Sequence, residues 1–382
     1  MTDVTPTGVK ALANSSVGDS VTPVLRPHRA LGLVAMGFWV LVLQGCVGGG
    51  PVLAPEQEAE LLPDSVELTR TPFFPQDEYQ CGPAALATIL VDAGLAVTPE
   101  DLVQKVYIPE RRGSLQIEML AATRSMGRLP YVIDPDVGAL MGELAGGRPV
   151  LVLQNLGLRI APLWHYAVVS GYDVGSDKFI LRSGVTERRV MSAPKFASTW
   201  DDSGNWGMIA LRPGELPANP DPARYLQAAA RMEGAGQVCA ARLAYLIAVD
   251  TWPRNSTARF GLANTYYAAG EFAEAERIYR QLLDKQPLDA AILNNLAMVL
   301  LHQGRCQDAL ETNDHARSIS GPGGDRSGAL EETRDTIVTR CHEDSRTGSP
   351  DSSDSRTTPV LPDVSRPDRR EHVCDAGQVE NQ

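Results

Sequence analysis

A fixed period in the second half of the chain restricts its fold more than any other feature of the sequence. Gly236, Gly270 and Gly304 follow one another at intervals of 34 residues. The same interval separates Pro253 and Pro287, Ala241, Ala275 and Ala309, and Tyr245 and Tyr279. Such self-similarity indicates one supersecondary unit that is repeated and stacked, because a single unit cannot bury its own apolar face. The number of coincident intervals disfavours the alternative, a four-helix bundle with accidental spacing.

The repeated unit resembles the tetratricopeptide repeat, a helix–turn–helix motif of this length. The stretch ARFGLANTYYAAGEFAEAERIYRQLLDKQP carries the motif's Leu-Ala-x-x-Tyr, Gly, Ala-x-x-x-Tyr and Pro positions. The resemblance implies about three repeats in residues 222–320, an all-α solenoid that binds a protein partner or the substrate. We expect a capping helix in residues 321–343. Residues 344–382 lack periodicity and are rich in Ser, Asp, Arg, Thr and Pro, which predicts a disordered tail.

The chain is acidic, with 47 Asp and Glu against 35 Lys and Arg and a formal net charge of −12. It has no basic patch, so we exclude nucleic acid as a partner. Its 382 residues are enough for two or three domains, since single domains commonly have about 100–200 residues.

Residues 1–46 consist of a polar N-terminal extension followed by the pattern of a lipoprotein signal peptide. Basic residues precede the apolar run in ALGLVAMGFWVLVLQGC, which is too short to span a bilayer comfortably but suits a secretory signal. The run ends in Leu43-Gln44-Gly45-Cys46, which resembles the lipobox of bacterial lipoproteins and implies lipidation of Cys46. Residues 47–67 then form a tether. The resemblance implies a membrane-anchored protein facing the periplasm, and Val47 favours the outer membrane; a signal cleaved elsewhere or a short membrane anchor are the alternatives.

Residues 68–213 predict an α+β domain. Three helical segments come first, CGPAALATILVDAG, TPEDLVQKVY and SLQIEMLAATRSMG, with Pro83 in the first turn of the first of them. Four apolar or β-branched segments follow, separated by turn residues: RPVLVLQNL, HYAVVSGYD, KFILRSG and WGMIALRPG. Helices followed by closely spaced strands indicate an antiparallel sheet in an α+β arrangement.

Cys81 lies at the N-terminal edge of the first predicted helix. The free N–H groups and the dipole of a helix N-terminus favour a thiolate, so this position predicts a lowered cysteine pKa. Of six histidines, only His165 lies in the same predicted domain, where it opens the strand HYAVVSGYD. A cysteine and a histidine in one domain suit nucleophilic catalysis. A buried structural cysteine and a structural histidine are the alternatives.

The segments CGPAAL at Cys81 and HYAVVSGYD at His165, together with Gln76, resemble the papain-like, C39-like cysteine peptidases that remove double-glycine leader peptides from bacteriocins. The resemblance covers about residues 70–213. It implies that Cys81 is the nucleophile, that His165 is the general base and acid, and that Gln76 contributes to the oxyanion hole. Gln80 is a weaker candidate for that role.

The fourth residue of the family's site is missing from its usual place. The family has an aspartate that orients the histidine, whereas this chain has Ser183 and Gly184 at the corresponding point of KFILRSG. Ser183 can accept the imidazole N–H through its hydroxyl, or Asp173 can reach from the preceding strand. A cysteine–histidine pair without a third carboxylate still supports catalysis, with weaker control of the imidazole tautomer.

These patterns predict an exported, lipid-anchored cysteine peptidase acting on a peptide or protein. A catalytically inactive adaptor with the same fold and an acyl transferase or amidase acting on a non-protein substrate are the alternatives. We expect no cofactor and no metal, because Cys81 and His165 lack partners at zinc-ligand spacing.

The remaining cysteines would meet an oxidising periplasm. The capping helix leaves a disulfide between Cys306 and Cys341 open, and the sequence does not decide the disulfide state of either cysteine. Cys239 and Cys306 are two repeats apart, too far for a disulfide. Cys374 is either unpaired or bonded to Cys341.

Overall fold

The computed structural model describes residues 53, 62–76, 80–321, 323–324 and 326–347. The predicted signal peptide, lipidation at Cys46, Cys374 and most of the predicted tail lie outside the described residues. Within the described part of the chain, no helix is long and apolar enough to cross a membrane.

Three helices form one layer of the first domain. They are α1 (Cys81–Asp92), α2 (Pro99–Val106) and α3 (Gln116–Ser125), and the short strand β1 (Ser65–Glu67) precedes them. A small hairpin of β2 (Tyr107–Ile108) and β3 (Gly113–Ser114) lies between α2 and α3. Helix α2 begins at a capping box, in which the Thr98 backbone N–H donates to Asp101 Oδ2 over 2.9 Å. The start of this helix is where the sequence predicts it.

The strands form an antiparallel sheet. Strands β4 to β9 span Leu129–Val132, Val150–Asn155, Trp164–Asp173, Lys178–Ser183, Thr186–Ser192 and Gly207–Leu211. Their order is β4-β9-β5-β6-β7-β8, and β1 pairs with the end of β6. Helices α4 and α5 span Val137–Ala145 and Ala193–Asp201. The predicted α+β class is confirmed.

The sheet separates two apolar clusters. Tyr166 and Val168 of β6 belong to the cluster formed with α1, whereas the alternate residues Ala167 and Val169 belong to the cluster formed with α4 and α5. This alternation is the two-residue period of a strand that is buried on both faces. It makes β6 the central strand on which the helices of both faces pack.

The domain begins earlier than its predicted boundary at Leu68. Strand β1 lies within the predicted tether of residues 47–67 and pairs with β6, with Val66 opposite Tyr172. Leu53 is also buried in the core, and its N–H donates to Asp177 Oδ1 over 3.1 Å. The tether prediction is therefore wrong for these residues, because apolar side chains in this stretch are covered by the sheet.

From Pro222 onward, the regular elements of the described residues are all helices. Helices α6 to α12 span Pro222–Gly234, Val238–Thr251, Ser256–Ala268, Phe272–Leu283, Ala290–His302, Cys306–Ser320 and Ser327–Thr347. Gly236, Gly270 and Gly304 occupy the same turn in three successive helix pairs, with φ of 77°, 77° and 73°. This left-handed conformation favours glycine, which explains the 34-residue spacing.

Tight contacts join the two halves. Helix α6 packs along β4, and the Asp221 N–H at its N-terminus donates to Tyr131 Oη over 3.1 Å. Arg224 of α6 forms an ion pair with Asp134 and lies over the Tyr131 ring. Sheet residues and repeat residues belong to one continuous apolar cluster.

Helix α12 caps the repeats, as predicted, but it extends to Thr347 and therefore into the tail that the sequence predicts as disordered. Cys306 and Cys341, whose pairing the sequence left open, form a disulfide that joins α11 to α12. A bond between Cys341 and Cys374, the alternative, is therefore wrong for this structure.

We predict that this disulfide stabilises the C-terminal cap. Replacing Cys306 or Cys341 with Ser should lower the free energy of unfolding by about 2–4 kcal/mol, because the bond closes a 35-residue segment of the unfolded chain. Denaturant unfolding followed by circular dichroism measures this loss. The double variant should lose little more than either single variant, and additive losses would contradict a role of the bond itself.

Candidate active site

Cys81 is the first residue of α1, the helix packed on β6. Its thiol is partly buried and is the free thiol of the described residues. The backbone N–H groups of Tyr166, Gly82 and Cys81 lie close enough to favour its thiolate. Since Tyr166 directly follows His165 in β6, the structure brings the neighbourhoods of the two predicted catalytic residues together.

Gly82 leaves the space that Ser114 occupies beside Cys81. A Cβ on Gly82 would lie 2.1 Å from Ser114 Oγ and 2.6 Å from Ser114 Cβ. The Tyr166 hydroxyl donates to the Ser114 carbonyl oxygen over 3.3 Å and so ties β3 to β6. Ser114 Oγ is buried and has no hydrogen-bond partner among the described residues. Only glycine fits after Cys81 while β3 keeps this position.

The thiol pKa is raised, contrary to the expectation from its helix position. Burial is the largest effect and disfavours the thiolate, while the three backbone N–H groups oppose it and only partly compensate. The prediction of a lowered pKa is therefore wrong for the resting structure. Cys81 is a neutral thiol at neutral pH.

His165 is held by Ser183. Its Nε2 lies 2.9 Å from Ser183 Oγ, and Ser183, at the end of β7, is only 2% exposed. Burial, together with the positive charge of Arg189, lowers the pKa of His165 from 6.5 to about 4. The imidazole is therefore neutral at neutral pH, and so is the thiol.

The thiol and the imidazole are not hydrogen-bonded to each other among the described residues. Tyr166, which follows His165 in β6, packs in the cluster formed with α1. His165 lies near the beginning of the strand, next to the Tyr166 N–H that borders the thiol. Catalytic hydrogen bonds are often long in a substrate-free enzyme and tighten only in the complex.

Asp173 does not orient His165. It lies at the other end of β6, eight residues away, which is roughly 26 Å along a strand. Its Oδ1 accepts the Ser176 N–H over 2.8 Å and closes the β6–β7 turn. Of the two predicted partners of His165, Ser183 is the one in contact.

Gln76 is positioned by the segment that carries Ser183. Its backbone N–H donates to the Gly184 carbonyl oxygen over 3.2 Å. Its side-chain amide makes no hydrogen bond to the described residues, so it is not committed to a structural role there. Gln80 directly precedes α1, where its carbonyl oxygen accepts the Ala84 N–H over 3.3 Å.

Ser114, Tyr166 and Arg189 were not singled out from the sequence. Tyr166 is part of the HYAVVSGYD segment, and burial raises the pKa of its phenol. Ser114 and Arg189 meet the site only through long-range folding, and no sequence signal identifies them.

No group of three or more His, Cys, Asp and Glu side chains placed to hold a metal occurs among the described residues.

Comparisons with known proteins support the assignment of tetratricopeptide repeats in the C-terminal part of the chain. The Tetratricopeptide repeat family model matches residues 233–276 and 260–324. A solved structure from Bacillus anthracis, described as a C39-like peptidase, matches with 16% identity and a TM-score of 0.33, covering 39% of this chain and 98% of that one. A similarity of this strength carries no argument about activity. No curated protein matches the chain. The chain thus combines an α+β domain with tetratricopeptide repeats.

We predict that Gly82→Ala displaces either Cys81 or β3. Overpacking against Ser114 should cost about 1–3 kcal/mol and change the rate at which iodoacetamide alkylates Cys81. Adding Ser114→Gly should restore both values, since it removes the two atoms that the new Cβ meets. Gly234→Ala is the matched control, because a Cβ there meets nothing within 4 Å. Equal effects at Gly82 and Gly234 would contradict the steric explanation.

A second prediction concerns the ionisation of the thiol. The alkylation midpoint of Cys81, followed by mass spectrometry of its peptide against pH, should lie above the free-thiol value of about 8.5. His165→Ala should leave that midpoint nearly unchanged, since a neutral imidazole does not stabilise the thiolate. A midpoint below about 7 that rises in the His165 variant would show a preformed ion pair instead.

Proposed function

We propose that the α+β domain is a cysteine peptidase that hydrolyses a peptide bond through Cys81 and His165. One observation carries this proposal: the free Cys81 thiol at the start of α1 lies beside the backbone N–H of Tyr166. Tyr166 directly follows His165, whose Nε2 lies within hydrogen-bond distance of Ser183 Oγ. A nucleophile, a base and a group that orients the base are the components that such chemistry needs.

The neutral resting state determines the order of proton transfers. Ser183 Oγ accepts the Nε2–H of His165, so Nδ1 remains bare and serves as the base. Nδ1 takes the thiol proton as Cys81 Sγ bonds to the scissile carbonyl carbon. The imidazolium then returns the proton to the leaving amine as the C–N bond breaks, and water hydrolyses the thioester with His165 again as base.

The oxyanion is stabilised by two donors in this mechanism. The Cys81 backbone N–H lies at the free N-terminus of α1, where the helix dipole also favours negative charge. The side-chain amide of Gln76 is the second donor. Its backbone hydrogen bond to Gly184 keeps it beside the strand segment that holds His165.

The proposal extends to location and partners. Lipidation of Cys46 anchors the protein at the periplasmic face of a membrane, with the outer membrane favoured. The tetratricopeptide repeats bind the substrate or a partner protein. The packing of α6 against β4 keeps whatever the repeats bind at a fixed place relative to the sheet.

Peptide hydrolysis by the full chain tests the activity, with a mass-spectrometric screen of a proteome-derived peptide mixture. Cys81→Ala should abolish cleavage. Ser183→Ala should lower kcat by about ten- to a hundredfold, because His165 loses the group that fixes its tautomer. Ser192→Ala, at the end of β8, is the control. Cleavage that survives in the Cys81 variant would overturn the proposal.

The pH profile gives an independent test. Because His165 acts as a neutral base, kcat/KM should fall as pH drops through its pKa of about 4. Arg189→Ala removes a positive charge that lowers this pKa, so the acid limb should move to higher pH. Arg188→Ala is the matched control, since that side chain is paired with Glu67. If Arg189→Ala leaves the acid limb of the kcat/KM profile at the same pH, His165 is not the base.

A catalytically inactive adaptor is the second candidate. It is favoured by the raised thiol pKa, by Ser183 in place of a carboxylate, and by the lack of a thiol–imidazole hydrogen bond among the described residues. An adaptor would keep its cellular phenotype in the Cys81→Ala variant. Small thioester and amide probes separate both candidates from an acyl transferase or amidase that acts on a non-protein substrate.

A further inference from the structure

Most of the exposed large apolar side chains of the described residues lie on the segments that carry the candidate active site. The described residues include ten exposed large hydrophobic side chains, and eight of them lie on the three segments that contain Ser114, His165 and Ser183. We call these eight the apolar rim: Leu115, Ile117, Leu156, Leu158, Ile160, Leu163, Trp164 and Val185. Random exposure of single apolar residues is normal, whereas a cluster of this kind marks a binding surface.

Each segment of the apolar rim also contributes to the site. Leu115 and Ile117 follow Ser114, which abuts Gly82. Trp164 precedes His165 in β6. Val185 follows Ser183 and Gly184, which contact His165 and Gln76, respectively. Three segments that are distant in sequence therefore bring apolar side chains to the surroundings of one thiol.

The most exposed part of the rim is a hairpin between β5 and β6 that is rigidly held. Leu156 N–H donates to Leu163 O over 2.9 Å, and Leu158 and Ala161 exchange backbone hydrogen bonds. Buried Asn155 accepts the N–H groups of Gly157 and Leu163 through Oδ1. This framework keeps Leu158 at 68% and Ile160 at 93% exposure.

The side chains of the hairpin present apolar surface without a free charge. Arg159, between Leu158 and Ile160, is paired with both Asp201 and Asp202, at 3.3 Å and 2.7 Å. A loop built to bind anionic lipid would keep its cations free for the headgroups. The Arg159 side chain is 77% exposed, but the two carboxylates beside it make the local net charge negative, which disfavours an anionic lipid surface and favours a neutral apolar ligand.

We propose that the apolar rim is the specificity-determining surface of the peptidase and that it selects peptides with bulky apolar side chains flanking the scissile bond. This inference rests on the proposed function. The hairpin from Leu156 to Leu163 contacts the apolar side chains on one side of the thiol, and Leu115 and Ile117 contact those on the other. Burial of both partners' apolar surface supplies the binding free energy.

The binding test uses the full chain carrying Cys81→Ala, so that the peptide stays intact. Two fluorescein-labelled decapeptides are compared by anisotropy, one with Leu, Ile and Phe at its central positions and one with Ser, Thr and Asn there. The apolar peptide should bind at least about tenfold more tightly, and the paired change Leu158→Ser and Ile160→Ser should remove that preference, since lost apolar contacts are worth about 10–200-fold. Equal binding of the two peptides would overturn the proposal.

Leu288→Ser is the matched control, because Leu288 is 69% exposed but lies in the repeats. It should leave the preference unchanged, and a loss equal to that of the hairpin variant would overturn the proposal. In the Cys81-containing chain, the hairpin variant should raise KM for the apolar peptide with little change in kcat. Its rate of Cys81 alkylation should match the unaltered chain, which shows that the site is intact.

Two further measurements distinguish other occupants. The first is sedimentation with vesicles of phosphatidylcholine and phosphatidylglycerol. If the protein shows no peptide preference but sediments with the vesicles, and the Leu158→Ser and Ile160→Ser changes abolish this, the apolar rim binds a membrane and the peptide proposal is overturned. The second is light scattering. If the protein shows no peptide preference and forms a dimer that the hairpin variant abolishes, the apolar rim binds a second copy of the chain and the peptide proposal is overturned. If the Cys81→Ala chain prefers the apolar peptide and the unaltered chain cleaves nothing, the peptidase proposal fails while the binding surface stands.

Discussion

The packing of the first turn of α1 between β6 and Ser114 is the constraint on which the candidate site depends. It brings the Cys81 thiol to the N–H of Tyr166, and it requires a residue without a side chain directly after the cysteine. The same packing withdraws the thiol from water. A helix N-terminus by itself favours a thiolate, but desolvation outweighs a few backbone N–H groups when the sulfur is covered. The thiol therefore keeps its proton at neutral pH in this structure.

Both groups of the pair are uncharged at neutral pH for the same physical reason. Burial raises the pKa of an acid and lowers that of a base, so Cys81 and His165 move in opposite directions. Arg189 adds to the effect on His165 by opposing a second positive charge. A site of this kind resembles a general-base pair more than a preformed ion pair.

Much of the fold follows from local sequence patterns. The 34-residue glycine spacing predicts the repeats because a left-handed turn recurs in each helix pair. Pro83 and the Thr98–Asp101 capping box predict where α1 and α2 start. Helix α4 was not predicted, since Gly138 and Gly142 weaken its local propensity and tertiary packing compensates. The position of β1 was missed because its three residues form a strand only by pairing with β6.

The candidate site was predictable only in part. Cys81, His165 and Gln76 carry a recognisable sequence pattern, and their roles remain predictions. The choice between Ser183 and Asp173 depends on which end of β6 each side chain reaches, and this is a matter of register that single-sequence patterns do not fix. Ser114 and Arg189 reach the site across long sequence separations. The raised thiol pKa depends on burial, which a helix-terminus argument leaves out.

The hydrogen bond between Leu53 and Asp177 fixes where the N-terminal part of the described chain meets the sheet. Asp177 lies in the turn after β6, at the end of the sheet opposite His165. Leu53 is therefore fixed at the end of the sheet remote from Cys81 and His165. Under the proposal that Cys46 is lipidated, Leu53 lies only seven residues after the lipid anchor, which keeps this end of the sheet close to it along the chain.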